Sequence, residues 1–241
     1  MIRRERIIKG DSLVFDSGLI IKHPTVEEIM DIGFDNYMNF ANLFILKPQD
    51  LIIPLWGEGI YYEDITKDEL FSMKLYKNKN YYIQLFLLLT NCDNAWIEYI
   101  EDLEIYTICY NIKGNNYYIG FEGIDLIYKY FKCITMYTHS EKRYFSGEKT
   151  RKRILDEDFE EYEEYAKSNS EDNNFSDMIS FVVISNKRDW DKVYSYPMAR
   201  FYEEYIKTHK KQEADCVLSG IYGGTIDSTK IKTKKLQWFK S

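Results

Sequence analysis

The chain has 241 residues and a mass of 28.9 kDa, enough for one large domain or two small ones around a substantial core. Apolar residues make up 45% of it and charged residues 29%, which excludes collagen-like, disordered and disulfide-scaffold proteins. The net charge of -7 opposes general binding to nucleic acid or anionic lipid. Aromatic residues are abundant at 17%, which favours amphipathic surfaces that meet partners.

The cysteines and the apolar runs indicate where the protein works. The four cysteines include no close pair, so they fit neither a zinc site nor a disulfide framework, and we expect a reducing cytoplasm. The most apolar run, residues 83–89, is too short to cross a bilayer, and no apolar segment of a signal peptide follows the basic N-terminus. We therefore expect no association with a membrane.

Two segments have the alternating pattern of β-structure. Residues 6–22 contain short β-prone runs divided at Gly10 and at Ser17-Gly18, which predicts a small N-terminal β element with tight turns. In residues 103–121, apolar and polar side chains alternate on both sides of a Lys113-Gly114 turn signal, and this pattern predicts a central β-hairpin.

Helical patterns dominate the rest of the chain. Thr25 and Glu28 form a capping-box signal, and the apolar stripe that follows predicts one helix, with Gly33 inside it, that stops at Pro48. A second capping-box signal stands at Thr66 and Glu69. Further helices are predicted near residues 50–56, 82–90, 125–137, 175–185 and 197–207. The predicted fold class is α+β, mainly helical.

Composition divides the chain into three segments. Residues 1–137 are predicted to hold the β element, several helices and the hairpin, and residues 175–241 a C-terminal helical region with a basic tail. Residues 138–174 form a charged polar connector, in which a basic triplet at 151–153 precedes a run of carboxylates. This connector is either a solvated helix or a docking strip for a charged partner.

No motif in the sequence supports catalysis. His23, His139 and His209 stand far apart, which argues against a metal site, and each is interpreted as a turn or surface residue. Neither a nucleophile elbow, a phosphate loop, a dinucleotide fingerprint nor a nuclease carboxylate-lysine pair is present. We therefore predict no catalytic residues, no metal, no cofactor and no enzymatic activity.

The C-terminal end reverses the sign of the charge. Residues 207–240 hold eight lysines and three carboxylates, a local charge of +5, so the remainder carries -7 minus +5, or -12. This asymmetry suits an acidic partner or is a solvated lysine face. We do not expect nucleic acid to be a partner. The candidate partner-binding residues here are Lys232, Lys234, Lys235 and Trp238.

Four stretches of the sequence resemble tail assembly chaperones and related tail-cluster proteins of phages and prophages of Gram-positive bacteria. They are IKHPTVEEIMDIGFDNY (21–37), GIYYEDITKDELF (59–71), GIDLIYKYFKCI (123–134) and LSGIYGGTIDSTKIKTKKLQW (218–238). The resemblance implies a non-enzymatic chaperone that binds the tape measure protein and the tail tube protein in the host cytoplasm during phage assembly.

Two aromatic stripes are the candidate surfaces for such a partner, with the hydrophobic core as the alternative role for both. They consist of Tyr37, Phe40 and Phe44, and of Phe201, Tyr202 and Tyr205. The chain is longer than typical tail chaperones, and its hairpin and charged middle are not explained by coating a helix. A structural virion protein of the tail, neck or baseplate, present as a homo-oligomer, is therefore the alternative function. A phage-encoded enzyme or host-defence inhibitor is the third possible function.

Overall fold

A computed structural model describes residues 3–168 and 175–225, apart from the side chains of residues 165–168. The fold is α+β and mainly helical, which confirms the predicted class. The helices in the described chain are α1 (Arg4–Ile8), α2 (Val26–Ile32), α3 (Phe34–Ile45), α4 (Ile52–Gly57), α5 (Lys67–Lys77), α6 (Lys79–Leu89), α7 (Phe121–Thr135), α8 (Glu148–Ser168), α9 (Phe175–Asn186), α10 (Trp190–Tyr194) and α11 (Met198–Tyr222). The strands are β1 (Leu13–Val14), β2 (Ile20–Ile21), β3 (Asn94–Ile100), β4 (Ile105–Ile112) and β5 (Asn115–Tyr118).

The small N-terminal β element is a two-stranded antiparallel ribbon, as predicted. β1 pairs with β2, with Leu13 opposite Ile21, and Gly18 takes a φ of +87° in the turn between them. Gly10 has a different place from the one predicted, because it follows helix α1 instead of dividing two strands. The sequence pattern did not indicate α1, which is only five residues long.

The central hairpin is confirmed and belongs to a larger sheet. β4 and β5 are joined by Lys113 and Gly114, which both have positive φ, the geometry of a two-residue hairpin turn. β3 adds on the other side of β4, so the antiparallel order is β3-β4-β5. Strand β4 is largely buried, whereas all four residues of β5 are exposed. β5 is therefore an outer edge of the sheet.

The prediction of one continuous helix before Pro48 is wrong. Helix α2 ends and α3 begins at Gly33, whose φ of 89° and ψ of 125° are rarely adopted by residues with a side chain. The predicted capping box is present: Thr25 Oγ1 accepts a hydrogen bond from Glu28 N at 3.2 Å, and Glu28 Oε2 accepts one from Thr25 N at 2.8 Å. The second predicted capping box, at Thr66 and Glu69, is present as well.

The C-terminal helices differ from prediction mainly in length. α11 begins directly after Pro197, as expected, but continues to Tyr222 instead of stopping near residue 207. The charged connector contains the long helix α8. α8 lies on α4, where Leu155 is buried in a small cluster with Ile52 and Leu55.

The main core joins segments from both ends of the sequence. Phe40 of α3 contacts Phe131 of α7, with ring centroids 5.8 Å apart. Phe175 of α9 stacks on Phe34 at 4.4 Å and meets Phe201 of α11 at 5.5 Å. All five rings belong to one hydrophobic cluster or pack against it. Residues of the predicted segments 1–137 and 175–241 thus share a core.

Backbone hydrogen bonds fasten the start of α11 to the N-terminal segment. Val26 N donates to Tyr196 O at 2.9 Å, and Met198 N donates to Pro24 O at 3.1 Å. His23, which is buried, accepts a hydrogen bond from Ala199 N through its Nε2 at 3.2 Å. Because α11 has no side-chain cap of its own, the contacts of Met198 N and Ala199 N satisfy its first two N–H groups. We call residues 23–26 and 196–199 the terminal joint.

Replacing Gly33 tests its backbone conformation. In a continuous helix Gly33→Ala would stabilise the fold by about 1 kcal/mol. At the observed φ of 89° we expect the opposite sign, a loss of about 1–3 kcal/mol, because a side chain strains this backbone. Urea unfolding monitored by circular dichroism measures the difference. A stabilised variant would contradict the break between α2 and α3.

His23 makes stability depend on pH. Its pKa is lowered from 6.5 to about 4, mainly because burial penalises the charged imidazolium, and the nearby Asp11 opposes this shift. Because the folded-state pKa lies below the unfolded value, the stabilisation is complete above pH 6.5 and is lost as pH falls through 4. We expect a loss of about 3 kcal/mol over this window. His23→Asn should flatten the pH dependence of unfolding, whereas His209→Gln at an exposed position should retain it. Equal slopes in both variants would contradict the assignment.

Candidate functional site

The first predicted aromatic stripe lies in the core. Tyr37 and Phe40 are 0% exposed and Phe44 is 1% exposed. The three rings pack against Phe131 of α7, at centroid distances between 5.8 and 6.1 Å. In this fold they offer no surface to a partner, because α7 covers the face of α3 that carries them. Their role is packing.

The second predicted stripe is mostly core as well. Phe201 is fully buried and Tyr202 is 9% exposed, while Tyr205 is partly buried between Phe181 and His209. The helices α7 and α9 pack on the face of α11 that carries them. The remaining predicted contact residues, Lys232, Lys234, Lys235 and Trp238, lie outside the described residues.

Exposed aromatic side chains gather elsewhere, around a groove beside the outer strand β5. The groove has a volume of about 620 Å³ and lies between the β1–β2 turn, β5 and the first turns of α7. Its exposed walls include Tyr118, which is 48% exposed, and Phe121, which is 42% exposed. We call it the aromatic groove and define it by Val14, Phe15, Tyr117, Tyr118, Phe121 and Leu126.

Local contacts hold the walls of the aromatic groove in place. The hydroxyl groups of Ser17 and Tyr110 share a hydrogen bond of 2.8 Å, which fixes the β1–β2 turn to strand β4. The Tyr110 ring in turn stacks on Tyr117 of β5 at 5.7 Å. At Gly123 of α7, an added Cβ would lie 3.6 Å from the Phe15 ring and 3.0 Å from Ile119 Cγ2. The glycine therefore lets these two side chains approach the helix closely.

The aromatic groove suits an apolar partner with basic flanks. Its lining is predominantly aromatic and aliphatic, and Asp16 and Glu122 add two carboxylates. Within the described chain β5 pairs with β4 alone, so no further strand covers the outer edge beside the groove. Exposed apolar surface of this kind is typical of sites where one protein binds another.

A second cluster, which sequence reasoning missed, links Asp50, His139 and Tyr128. His139 Nδ1 lies 2.7 Å from Asp50 Oδ2, and His139 Nε2 lies 2.8 Å from the Tyr128 hydroxyl. Asp50 Oδ1 also accepts a hydrogen bond from Ser140 N at 2.7 Å, and the Asp50 carboxylate is fully buried. Lys67 Nζ stands 4.1 Å from the centre of the Tyr128 ring. The cluster fixes the chain after α7 to the turn before α4. Asp50 lies about 90 positions before His139 and Ser140, so no local signal could reveal their contact.

In the part of the chain that the structure describes, no group of three or more His, Cys, Asp and Glu side chains could hold a metal ion. The three histidines are held in separate places. His23 lies in the terminal joint, His139 contacts Asp50, and His209 stacks on Phe181 at 4.6 Å. No described helix is both long enough and apolar enough to span a bilayer.

The fold is a mainly helical α+β arrangement, and the aromatic groove is an exposed and largely apolar surface on it. Comparison with known proteins adds a similarity over part of the chain. Residues 166–241 match the family model described as YomV second domain, a phage-derived family, and this similarity supports a phage or prophage protein. No curated protein and no solved structure matches the chain.

The Asp50 cluster allows a direct test of its structural role. The Asp50 carboxylate accepts three hydrogen bonds. In Asp50→Asn, one of its two oxygens becomes an NH₂ group, which cannot accept a hydrogen bond and faces the donors that the oxygen served. We expect a loss of about 2–3 kcal/mol in unfolding free energy and faster tryptic cleavage after Lys142 and Arg143. The matched control is Asp102→Asn at an exposed position. Equal stability of the two variants would contradict the role of the cluster.

Proposed function

We propose that this protein is a non-enzymatic phage tail morphogenesis protein that binds the tape measure protein through the aromatic groove. The observation that carries the proposal is the exposure of Tyr118 and Phe121 around a groove of about 620 Å³. The family match of residues 166–241 supports the phage setting. The sequence resemblance to tail assembly chaperones supplies the class of partner.

The physical reason is that a tape measure protein is a long helical chain with apolar stripes. An amphipathic helix presents apolar side chains at steps of three and four residues and binds in a groove lined by apolar walls. Tyr118 and Phe121 offer large rigid surfaces whose ordering costs little conformational entropy. Asp16 and Glu122 would pair with lysine or arginine side chains that flank the apolar stripe. The tail tube protein is the second partner in this proposal.

The absence of catalysis is part of the proposal. The three histidines, which are the most versatile general bases, are each engaged in a structural contact in separate parts of the fold. Among the other potential nucleophiles, burial raises the pKa of the Cys109 thiol to about 11, which leaves little reactive thiolate. These features support a binding role over a chemical one.

A variant of the groove tests the proposal. Tyr118→Ser combined with Phe121→Ser removes two exposed rings without opening the core. We expect recovery of the co-expressed tape measure protein in a pull-down to fall by about tenfold or more, because exposed aromatics at the centre of an interface carry much of its binding energy. The matched control, Tyr144→Ser combined with Tyr222→Ser, removes rings that are 90% and 85% exposed elsewhere.

The outcome separates the candidate functions. A chaperone is recovered with the tape measure protein and is absent from finished particles, whereas a structural protein of the tail, neck or baseplate remains in particles in fixed stoichiometry. Full recovery of the tape measure protein by the groove variant would remove the aromatic groove from the proposal. Failure of the wild-type chain to bind either tail protein would remove the function itself.

A further inference from the structure

A cavity on another side of the fold concentrates positive charge in an acidic chain. It has a volume of about 680 Å³ and lies between α7 and α11, next to α1. We call it the basic cavity and define its rim by Arg4, Lys129, Lys132, Lys207 and Lys210. Glu203 is the carboxylate in the lining, so five cations and one anion leave a local charge of +4. The whole chain carries -7.

Internal ion pairs neutralise only part of the basic cavity. Glu203 contacts Lys207 at 2.9 Å and Arg4 at 3.7 Å, and Lys129 pairs with Asp125 at 2.5 Å. Among the residues that the structure describes, neither Lys132 nor Lys210 has a carboxylate within ion-pair distance. Lys132 donates a hydrogen bond to the Tyr128 hydroxyl at 3.2 Å instead.

The two walls of the basic cavity have matching spacing. Lys129 and Lys132 stand three residues apart on α7, and Lys207 and Lys210 stand three residues apart on α11. On a helix this spacing places two side chains on one face, about 4.5 Å apart along the axis. The lining also includes apolar side chains, among them Met136 and Ile206. The cavity thus combines lysine pairs from two helices with apolar side chains.

Helix α8 carries the complementary charge. Glu157, Glu160, Glu161 and Glu164 follow steps of three, four and seven residues, so they lie on one face of the helix, and all four are exposed. We call this face the acidic stripe; it is about 10 Å long. Glu157 pairs with Arg153 at 3.8 Å, whereas Glu160, Glu161 and Glu164 have no cation within ion-pair distance in the described chain. Like charges at this spacing destabilise an isolated helix.

We propose that the acidic stripe of one copy docks in the basic cavity of a second copy of this chain. Charge complementarity selects this occupant: the same molecule exposes uncompensated carboxylates on one helix and uncompensated lysines in a cavity between two others. Docking would relieve the repulsion within each set and bring the methylene stems of the glutamates against the apolar side chains of the lining. The inference does not depend on the aromatic groove or on the proposed function.

The geometry of such a contact sets the kind of assembly. The stripe and the cavity are different surfaces, so the contact runs from head to tail unless a two-fold axis makes both copies donate and accept at once. Head-to-tail contacts close into rings or continue as filaments. A contact made by exposed charges also weakens as ionic strength rises, because salt screens such charges within about 10 Å at 0.1 M.

Charge reversal of the purified full-length chain tests the proposal. We expect the mass measured by sedimentation velocity to exceed 28.9 kDa at low salt and to approach that value as salt is added. Glu160→Lys with Glu164→Lys should weaken association by about tenfold or more, and so should Lys132→Glu with Lys210→Glu. An equimolar mixture of the two variants should associate again, because the unchanged cavity of the stripe variant can accept the unchanged stripe of the cavity variant, and the two reversed surfaces also attract each other.

Control variants separate this contact from a general effect of net charge. Glu27→Lys with Asp31→Lys makes the same change in charge as the stripe variant, on an exposed face of α2, and should associate like wild type. A monomeric wild-type chain at all concentrations up to about 100 μM would overturn the proposal, since a dissociation constant above that value indicates no useful contact. Failure of the mixed variants to associate would overturn it too. A third result would overturn it as well. If the wild-type chain binds an oligonucleotide and the cavity variant does not, while both have the same mass in sedimentation, the cavity serves nucleic acid and not a second copy.

Discussion

The rest of the structure depends on the terminal joint, where residues 23–26 meet residues 196–199. Helix α11 begins in a buried place, and unsatisfied N–H groups there would each cost free energy comparable to a lost hydrogen bond. Pro24 O and His23 Nε2 accept hydrogen bonds from two of them. This joint sets the direction of α11, and α11 in turn covers α7 and α9. The core and one wall of the basic cavity therefore follow from contacts between residues more than 170 positions apart.

Local signals in the sequence were sufficient for the elements that depend on local physics. The capping boxes at Thr25 and Thr66 and the Lys113-Gly114 turn appear where the sequence places them, because each is formed by residues within a few positions. The break at Gly33 was missed because its backbone conformation, not its place in an apolar stripe, decides the outcome. Strand β3 was missed because its pairing with β4 is a tertiary contact. The prediction ended α11 near residue 207, although the sequence has no sharp stop signal there, and the helix continues to residue 222.

The candidate site shows what periodicity can and cannot reveal. A helical stripe such as the one with Phe40 indicates an apolar face, but it does not indicate whether the protein or a partner covers that face. Here the core covers it. The exposed rings of the aromatic groove lie outside any helical stripe, and the available signal was the pair Tyr117-Tyr118. Successive side chains of a strand point to opposite faces, so adjacent tyrosines in an edge strand cannot both lie on one covered face.

Helix α7 positions both exposed surfaces. Its first turns contribute Phe121 and Leu126 to the aromatic groove, and its last turns contribute Lys129 and Lys132 to the basic cavity. The buried side of the same helix packs on α3 through Phe131. A helix of fifteen residues is about 22 Å long, so an apolar partner at one end and a charged partner at the other need not compete for space. The two surfaces also rely on different physics, since apolar burial persists at salt concentrations that screen exposed charges. One rigid element therefore presents two separate exposed surfaces of different chemistry.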